Sequence, residues 1–503
     1  MKPATKTFAA ALLALSLSAQ PALAADAPSV LEQRNAALNV MHGDLQKNAF
    51  KYTVGWPSVA LYAAGESVTA PKWSNADGSN GVTYRESELR RNLGISDATT
   101  DFESTLLGLL AAGQNPRGFG KKDFIQAVLS SQLPNGKFGD SIYGEGEDLL
   151  NAHIYGIISL YAAGVPIPNA DKARDYLLSK QHADGGFDWK GGDSNPDVTS
   201  FALIALNALG LDSAHPSVQK ALNFLKTIQN ERGGFSSQGV ENPDSASTVL
   251  QALVSYRLDP KAWQKGGHDL FAFLNTYRAA NGGFSYNVGG DANPMTTQNV
   301  VMAYSDLLNG KSVFQKLHDA NAGKQGGWTP AFPDLPFSHP YYADNIKLAN
   351  LGIMAGHTDG TYGTNQPITR EQFAKILVGG AHLNDEVGPH TQAFTDVDDG
   401  WANPYIAVAL KHKLVYGTSA TTYNPLGQIT GAEVMAILVR MLGSQYEQDA
   451  QSRPKTEWYD GYVAVAKEHG LLYPNFQADT PATRAEVGYS FVRLYDDQIK
   501  AAR

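Results

Sequence analysis

At 503 residues the chain is too long for one ordinary core, so two or three domains are expected. Its hydrophobic fraction of 43% belongs to a folded protein, and a formal net charge of -9 excludes a basic field for nucleic acid or an anionic membrane. Cysteine is absent, which excludes disulfides and thiolate-held zinc.

In chain order, residues 1–24 read as a secretory signal peptide. Lys2 and Lys6 precede the apolar run TFAAALLALSLSA, and Ala22-Leu23-Ala24 supplies a small-x-small cleavage site. No later run is long enough for a membrane helix, so no span is expected after cleavage.

A repeat follows. QLPNGKF, QHADGGF, QNERGGF and RAANGGF begin at Gln132, Gln181, Gln229 and Arg278, at intervals of 49, 48 and 49 residues. Apolar segments ending in Gly65, Gly113, Gly164 and Gly210 run in phase with them. Each unit holds two helices of different character. VTSFALIALNAL is apolar almost all round, whereas SVQKALNFLKTIQ places Val218, Ala221, Leu222, Leu225 and Ile228 on one face. That alternation predicts two concentric helical layers, closed as a ring or open as a solenoid. Asn195-Pro196-Asp197 and Asn242-Pro243-Asp244 read as helix starts: an Asn cap, a Pro in the first turn and an acid at the positive end of the dipole.

The Q-x-x-x-G-x-F period resembles that of the terpenoid cyclase and protein prenyltransferase superfamily. The resemblance implies an all-α, six-hairpin α/α toroid, with its domain spanning residues 25–315. Prenyltransferases hold zinc partly through cysteine, so that activity is not expected here. Squalene–hopene-type cyclases protonate their substrate with Asp-x-Asp-Asp. The string occurs as Asp396-Val397-Asp398-Asp399, far beyond the repeats, and reads as a coincidence. No metal site and no cofactor are expected. The loops of the repeats mix acids with aromatics, which makes His153, Trp189, Asp193, Asp197, Asp244, Tyr286 and Asp291 a candidate pocket. His153 is a candidate ligand or base, weighed against an ordinary hydrogen-bonded core histidine. The toroid is expected to bind a glycan, a corrinoid or an isoprenoid. The alternative is an extracellular enzyme, acting on polysaccharide or as a terpenoid cyclase, with no catalytic residues assigned.

Residues 316–331 read as a linker, on the Pro-rich stretch TPAFPDLPF at 329–337 that leads into a new module. Three units follow, at 332–386, 392–446 and 452–498. Each is a helix, a Gly/Asn loop and a second helix opened by a Thr cap: Thr369, Thr430 or Thr483, with Gln372, Glu433 or Glu486 three residues on. The units resemble S-layer homology domains in the opening Phe394, Asp396 and Trp401, the loop Gly352, Gly356 and Gly360, and the Ile-Thr-Arg-Ala-Glu signature. The resemblance implies a pseudo-threefold unit that binds secondary cell-wall polysaccharide, often at a pyruvylated amino-sugar, on a Gram-positive surface. Arg370 and Arg484 are the expected carboxylate-binding residues, with Asp396, Trp401 and Gly356 beside them. Gly431 stands where the second unit should carry its Arg, so fewer than three working grooves are expected.

Overall fold

The computed structural model describes residues 27–389 and 392–501, and the expected signal peptide lies outside them. Six inner helices close a ring: Trp56–Ala63, Thr99–Ala111, Leu150–Ala162, Pro196–Ala208, Pro243–Ser255 and Pro294–Asn309. Each packs on the next, and the sixth returns to the first. The layers therefore close into a toroid, the point that periodicity left open. Outer helices back them at Ala27–Lys47, Gly81–Arg90, Phe124–Ser130, Ala170–Ser179, Pro216–Ile228 and Leu270–Asn275.

The repeated heptapeptide is a joint between units. The glutamine amide of Gln132 donates to Gly136 O and to Pro168 O, just ahead of the next outer helix. Gln181 and Gln229 repeat the pattern on Gly185 O and Ser217 O, and on Gly233 O and Trp263 O. Gly136 has φ +92°, and a Cβ there would sit 2.5 Å from the Lys172 backbone carbon. Both the left-handed turn and the close approach require glycine. The repeated Phe138, Phe187, Phe235 and Phe284 are wholly buried.

The Asn-Pro-Asp starts form as expected. Asn195 caps by accepting from Asp197 N and Val198 N, and Asn242 accepts from Ser245 N.

Residues 316–331, expected as a linker, are not one throughout. Residues 316–321 finish the helix Val313–Asn321, which packs across the C-terminal ends of the inner helices and stoppers the ring. Those ends expose carbonyls that need donors. Lys316 Nζ donates to Tyr62 O, Gln315 Nε2 to Ser255 O and Asn321 Nδ2 to Ala162 O. The His318 ring stacks on Tyr161 at 4.2 Å.

The C-terminal part repeats one helix pair three times: Tyr342–Asn350 with Arg370–Gly380, Asn403–Lys411 with Gly431–Leu442, and Asp460–Glu468 with Arg484–Ala501. The segments before the second helices meet around one axis. Ile368 N donates to Ala482 O, Ala482 N to Ile429 O, and Ile429 N to Ile368 O, at 3.1, 2.9 and 3.1 Å. All three capping boxes form.

Toroid and triplet dock through buried polar groups. Lys122 Nζ donates to Asn92 Oδ1, Ala349 O and Asn350 O, the last two at the C-terminal end of the helix Tyr342–Asn350. Asp123 accepts from the Tyr342 hydroxyl and pairs with Arg117. Its backbone N and O bond the Asn350 side chain. Among the described residues, no helix is long and apolar enough to cross a membrane.

Candidate functional site

Of the candidate acids, Asp197 and Asp244 lie near one another, the Asp197 charge adding to the rise of the Asp244 carboxyl. Asp197 accepts from Thr248 Oγ1 on the following inner helix, and Asp244 from Thr296 Oγ1 and Asn299 Nδ2 on the one after. Burial raises both carboxyls, and these hydrogen bonds offset part of the shift. Each acid thus ties one ring helix to the next. Asp193 and Asp291 are exposed on loops ahead of two inner helices separated by a third, and Tyr286 is 39% exposed beside Asp291. Trp189 is packed against the toroid core, its carbonyl accepting from Leu150 N.

His153 corrects the pocket reading. It is fully buried, its Nδ1 accepts from Phe138 N at 3.1 Å, and its Nε2 bonds Ala173 O at 2.9 Å. Burial pushes its pKa down to about 3, so the ring is neutral and both nitrogens are spent on the backbone. Thr199 and Thr297 accept the same bond from Phe187 N and Phe284 N in other units.

The toroid interior holds groups the sequence reading missed. Trp56 packs edge-on to Tyr155 at 5.5 Å and to Phe314 of the stopper helix at 6.5 Å, and Tyr155 meets Phe201 at 5.2 Å. Trp56, Tyr155 and Phe201 stay partly exposed although the ring surrounds them. Glu103 is wholly buried and neither carboxylate oxygen has a hydrogen-bond partner among the described residues. Burial raises its pKa well above the usual carboxylate range, which favours the neutral form.

In the triplet, Arg370 and Arg484 play matching parts. Arg370 donates to Tyr423 O, Tyr416 O and Glu433 Oε1 at 2.9, 3.0 and 3.0 Å, and lies over the Tyr423 ring. Arg484 donates to Tyr362 O and Ala355 O and lies over Tyr362. Each guanidinium therefore clasps the loop of the neighbouring unit. Asp396 holds that loop in the second unit by accepting from Tyr423 N and Asn424 N, both at 2.8 Å. Asp334 does the same for Tyr362 N, Gly363 N and Thr364 N in the first. These contacts give Asp396 of the Asp-Val-Asp-Asp string a structural task. Gly356 has Phe332 and Thr361 O where a Cβ would stand, so its part is close packing.

Around Arg370 an open groove is lined by Tyr416, Gly417, Glu433, Arg440 and Trp458 among others. Tyr416 and Trp458 are 45% and 52% exposed. The Arg440 guanidinium lies 4.9 Å from the Tyr416 ring and pairs with Glu447. A guanidinium has five N–H donors, of which Arg370 gives three to these partners. Two cations thus stand beside two exposed rings in one groove, each cation also paired with a carboxylate, Glu433 or Glu447. Trp401 lies outside this groove, 51% exposed with Lys375 Nζ 5.6 Å over its ring.

Comparison with known proteins agrees with both halves. The S-layer homology domain family matches residues 331–374 and 393–435. The squalene-hopene cyclase C-terminal domain matches 118–252, and the prenyltransferase alpha-alpha toroid domain matches 190–322. A middle cell wall protein of Brevibacillus brevis is 28% identical over 144 residues, 28% of this chain and 13% of that protein. An S-layer protein of Bacillus licheniformis is 34% identical over 144 residues, 28% of this chain and 16% of the other. A squalene–hopene cyclase of Zymomonas mobilis is 44% identical over 85 residues, 16% of this chain and 12% of the enzyme. The chain thus spans less than one-fifth of the length of these three relatives. A type II terpene cyclase from Scytonema superposes over 57% of this chain and 100% of its own, at 15% identity and a TM-score of 0.41. S-layer homology matches and cell-surface relatives of Gram-positive bacteria make this a cell-wall-associated surface protein. The chain is therefore a terpenoid cyclase/prenyltransferase-like α/α toroid followed by S-layer homology domains.

Proposed function

We propose that the triplet anchors the chain non-covalently to an acidic secondary cell-wall polysaccharide, through the groove of Arg370, Arg440, Tyr416 and Trp458. The carrying observation is the pairing of two guanidinium groups with two exposed aromatic faces in one open groove. A guanidinium presents a planar fork that fits a carboxylate such as a pyruvate ketal, and a ring face takes the apolar side of a sugar. Sacculi stripped of their acidic accessory polymer are expected to lose capture of the protein in a pull-down. Equal retention on stripped and intact sacculi would refute the anchor.

We further propose that the toroid displays a binding site for an apolar ligand with one hydrogen-bonding group. Its support is the partly exposed trio Trp56, Tyr155 and Phe201 within the ring, with the buried Glu103 carboxyl, which has no hydrogen-bond partner among the described residues, nearby in the inner layer. The tying roles of Asp197 and Asp244 favour this over catalysis by the rim acids. Calorimetry with a corrinoid, an isoprenoid and a neutral glycan tests it; no heat from any of the three counts against a binding toroid.

A further inference from the structure

Pseudo-threefold symmetry makes three grooves from the same positions. Each takes the residue after a Thr cap from one unit. The next unit supplies a platform five residues beyond its first helix and a side chain ten residues after its own cap position. The third unit supplies the residue two before its first helix. In the groove described above these are Arg370, Tyr416, Arg440 and Trp458. In the second groove the same positions hold Arg484, Ala355, Gly379 and Trp401. In the third they hold Gly431, Tyr473, Arg493 and Pro340.

We infer that the anchor is monovalent: of the three grooves, the one built by Arg370, Tyr416, Arg440 and Trp458 alone holds the wall glycan. This rests on the wall-binding reading above.

The second groove keeps one guanidinium, and Arg484 is only 6% exposed. Its platform has shrunk from Tyr to Ala355, and Gly379 removes the second cation. The Trp401 ring already carries Lys375. The toroid also presses on this loop, since Lys121 Nζ donates to His357 O at 2.8 Å.

The third groove has no room for its first cation. A Cβ on Gly431 would meet Gln477 O and lie 2.7 Å from the Tyr473 hydroxyl. Tyr473 is 3% exposed, so it fills the groove and offers no platform. Arg493 is held by two carboxylates, Asp344 and Asp496, at 3.1 and 3.3 Å, where Arg440 has one, Glu447.

A single groove gives the anchor no avidity to fall back on, because a linked second site is what converts weak contacts into long residence. One substitution should therefore release the protein.

The test is calorimetric titration of the full chain with soluble acidic glycan fragments released from Gram-positive sacculi. One fragment is expected per chain. Arg440→Ala is expected to weaken binding about tenfold or more, as removal of a charge partner does. Trp458→Ala, at an exposed position, is expected to do the same without a change in thermal stability. Lys375→Glu in the second groove is expected to leave both affinity and stoichiometry within twofold. A stoichiometry of two or three overturns the inference while leaving the anchor in place, and so does loss of a site in Lys375→Glu. Undiminished affinity in both Arg440→Ala and Trp458→Ala likewise overturns it. No binding of the unaltered chain to any fragment defeats the wall-binding reading itself, and this inference with it.

Discussion

Single residues in this chain are set by backbone demands more often than by ligands. His153 occupies a position filled by Thr199 and Thr297 in other units, and accepts the same kind of backbone N–H. Its pKa is about 3 in the folded chain against an ordinary 6.5. A depressed value means the unfolded state takes up the proton first. The stability this lends is present above pH 6.5 and lost as pH falls toward 3, at about 1.4 kcal/mol per unit. His153→Thr should keep the bond to Phe138 N and flatten that acid limb in urea melts. It should also lower stability near neutral pH by roughly 1–3 kcal/mol for the space left. An unchanged acid limb would mean that His153 does not titrate as described. Asp197→Asn keeps an acceptor for Thr248 and should shift the melting temperature by only a few degrees. A large loss of fold would show that the charge itself holds the ring.

At the scale of elements, the stopper helix does most to set what the ring contains. Phe314 is 1% exposed and packs against Trp56 between the ring helices. Phe314→Ala should cost about 3–5 kcal/mol in chemical denaturation and open space beside Trp56. A loss under about 1 kcal/mol would indicate that the helix rests loosely on the ring. The last residues of the stopper fall within the expected linker, whose mark in the sequence is the Pro-rich stretch 329–337. Its Lys, Gln and Asn side chains look like those of a solvated helix. They are polar because they face the carbonyl ends of the ring helices.

For the whole molecule, the polar lock between the two halves predicts joint behaviour. Lys122 is 2% exposed, and burial lowers its pKa to about 8. A folded value below the ordinary 10.5 penalises the folded state where lysine is charged, so this term becomes more favourable as pH rises from about 8 to 10.5. Lys122→Met should remove that rise. It should also leave the Asn350 carbonyl short of a donor, at about 1–3 kcal/mol, while Ala349 O keeps Gly352 N. Calorimetry should then resolve separate toroid and triplet transitions where the unaltered chain gives a more concerted one. Identical profiles would mean the two halves unfold independently from the start.

The sequence by itself determined the periodic features: 48- to 49-residue spacing, two kinds of helix, Asn-Pro starts and Thr-capped second helices. These depend on contacts within one unit, where local propensity and capping decide. It also singled out Arg370 and Arg484, because a cation just after a helix cap is neither capping nor apolar. Only the tertiary structure decided closure of the ring, the carbonyl-capping role of the stopper and the docking of the halves. It also brought Arg440 and Trp458 to Arg370, from positions 70 and 88 residues away along the chain. On its own helix Arg440 is one polar residue beside an apolar face, and its meaning depends on which unit packs next to it. Pairings of that kind are set by long-range packing, which a repeat's spacing repeats faithfully and cannot place in space.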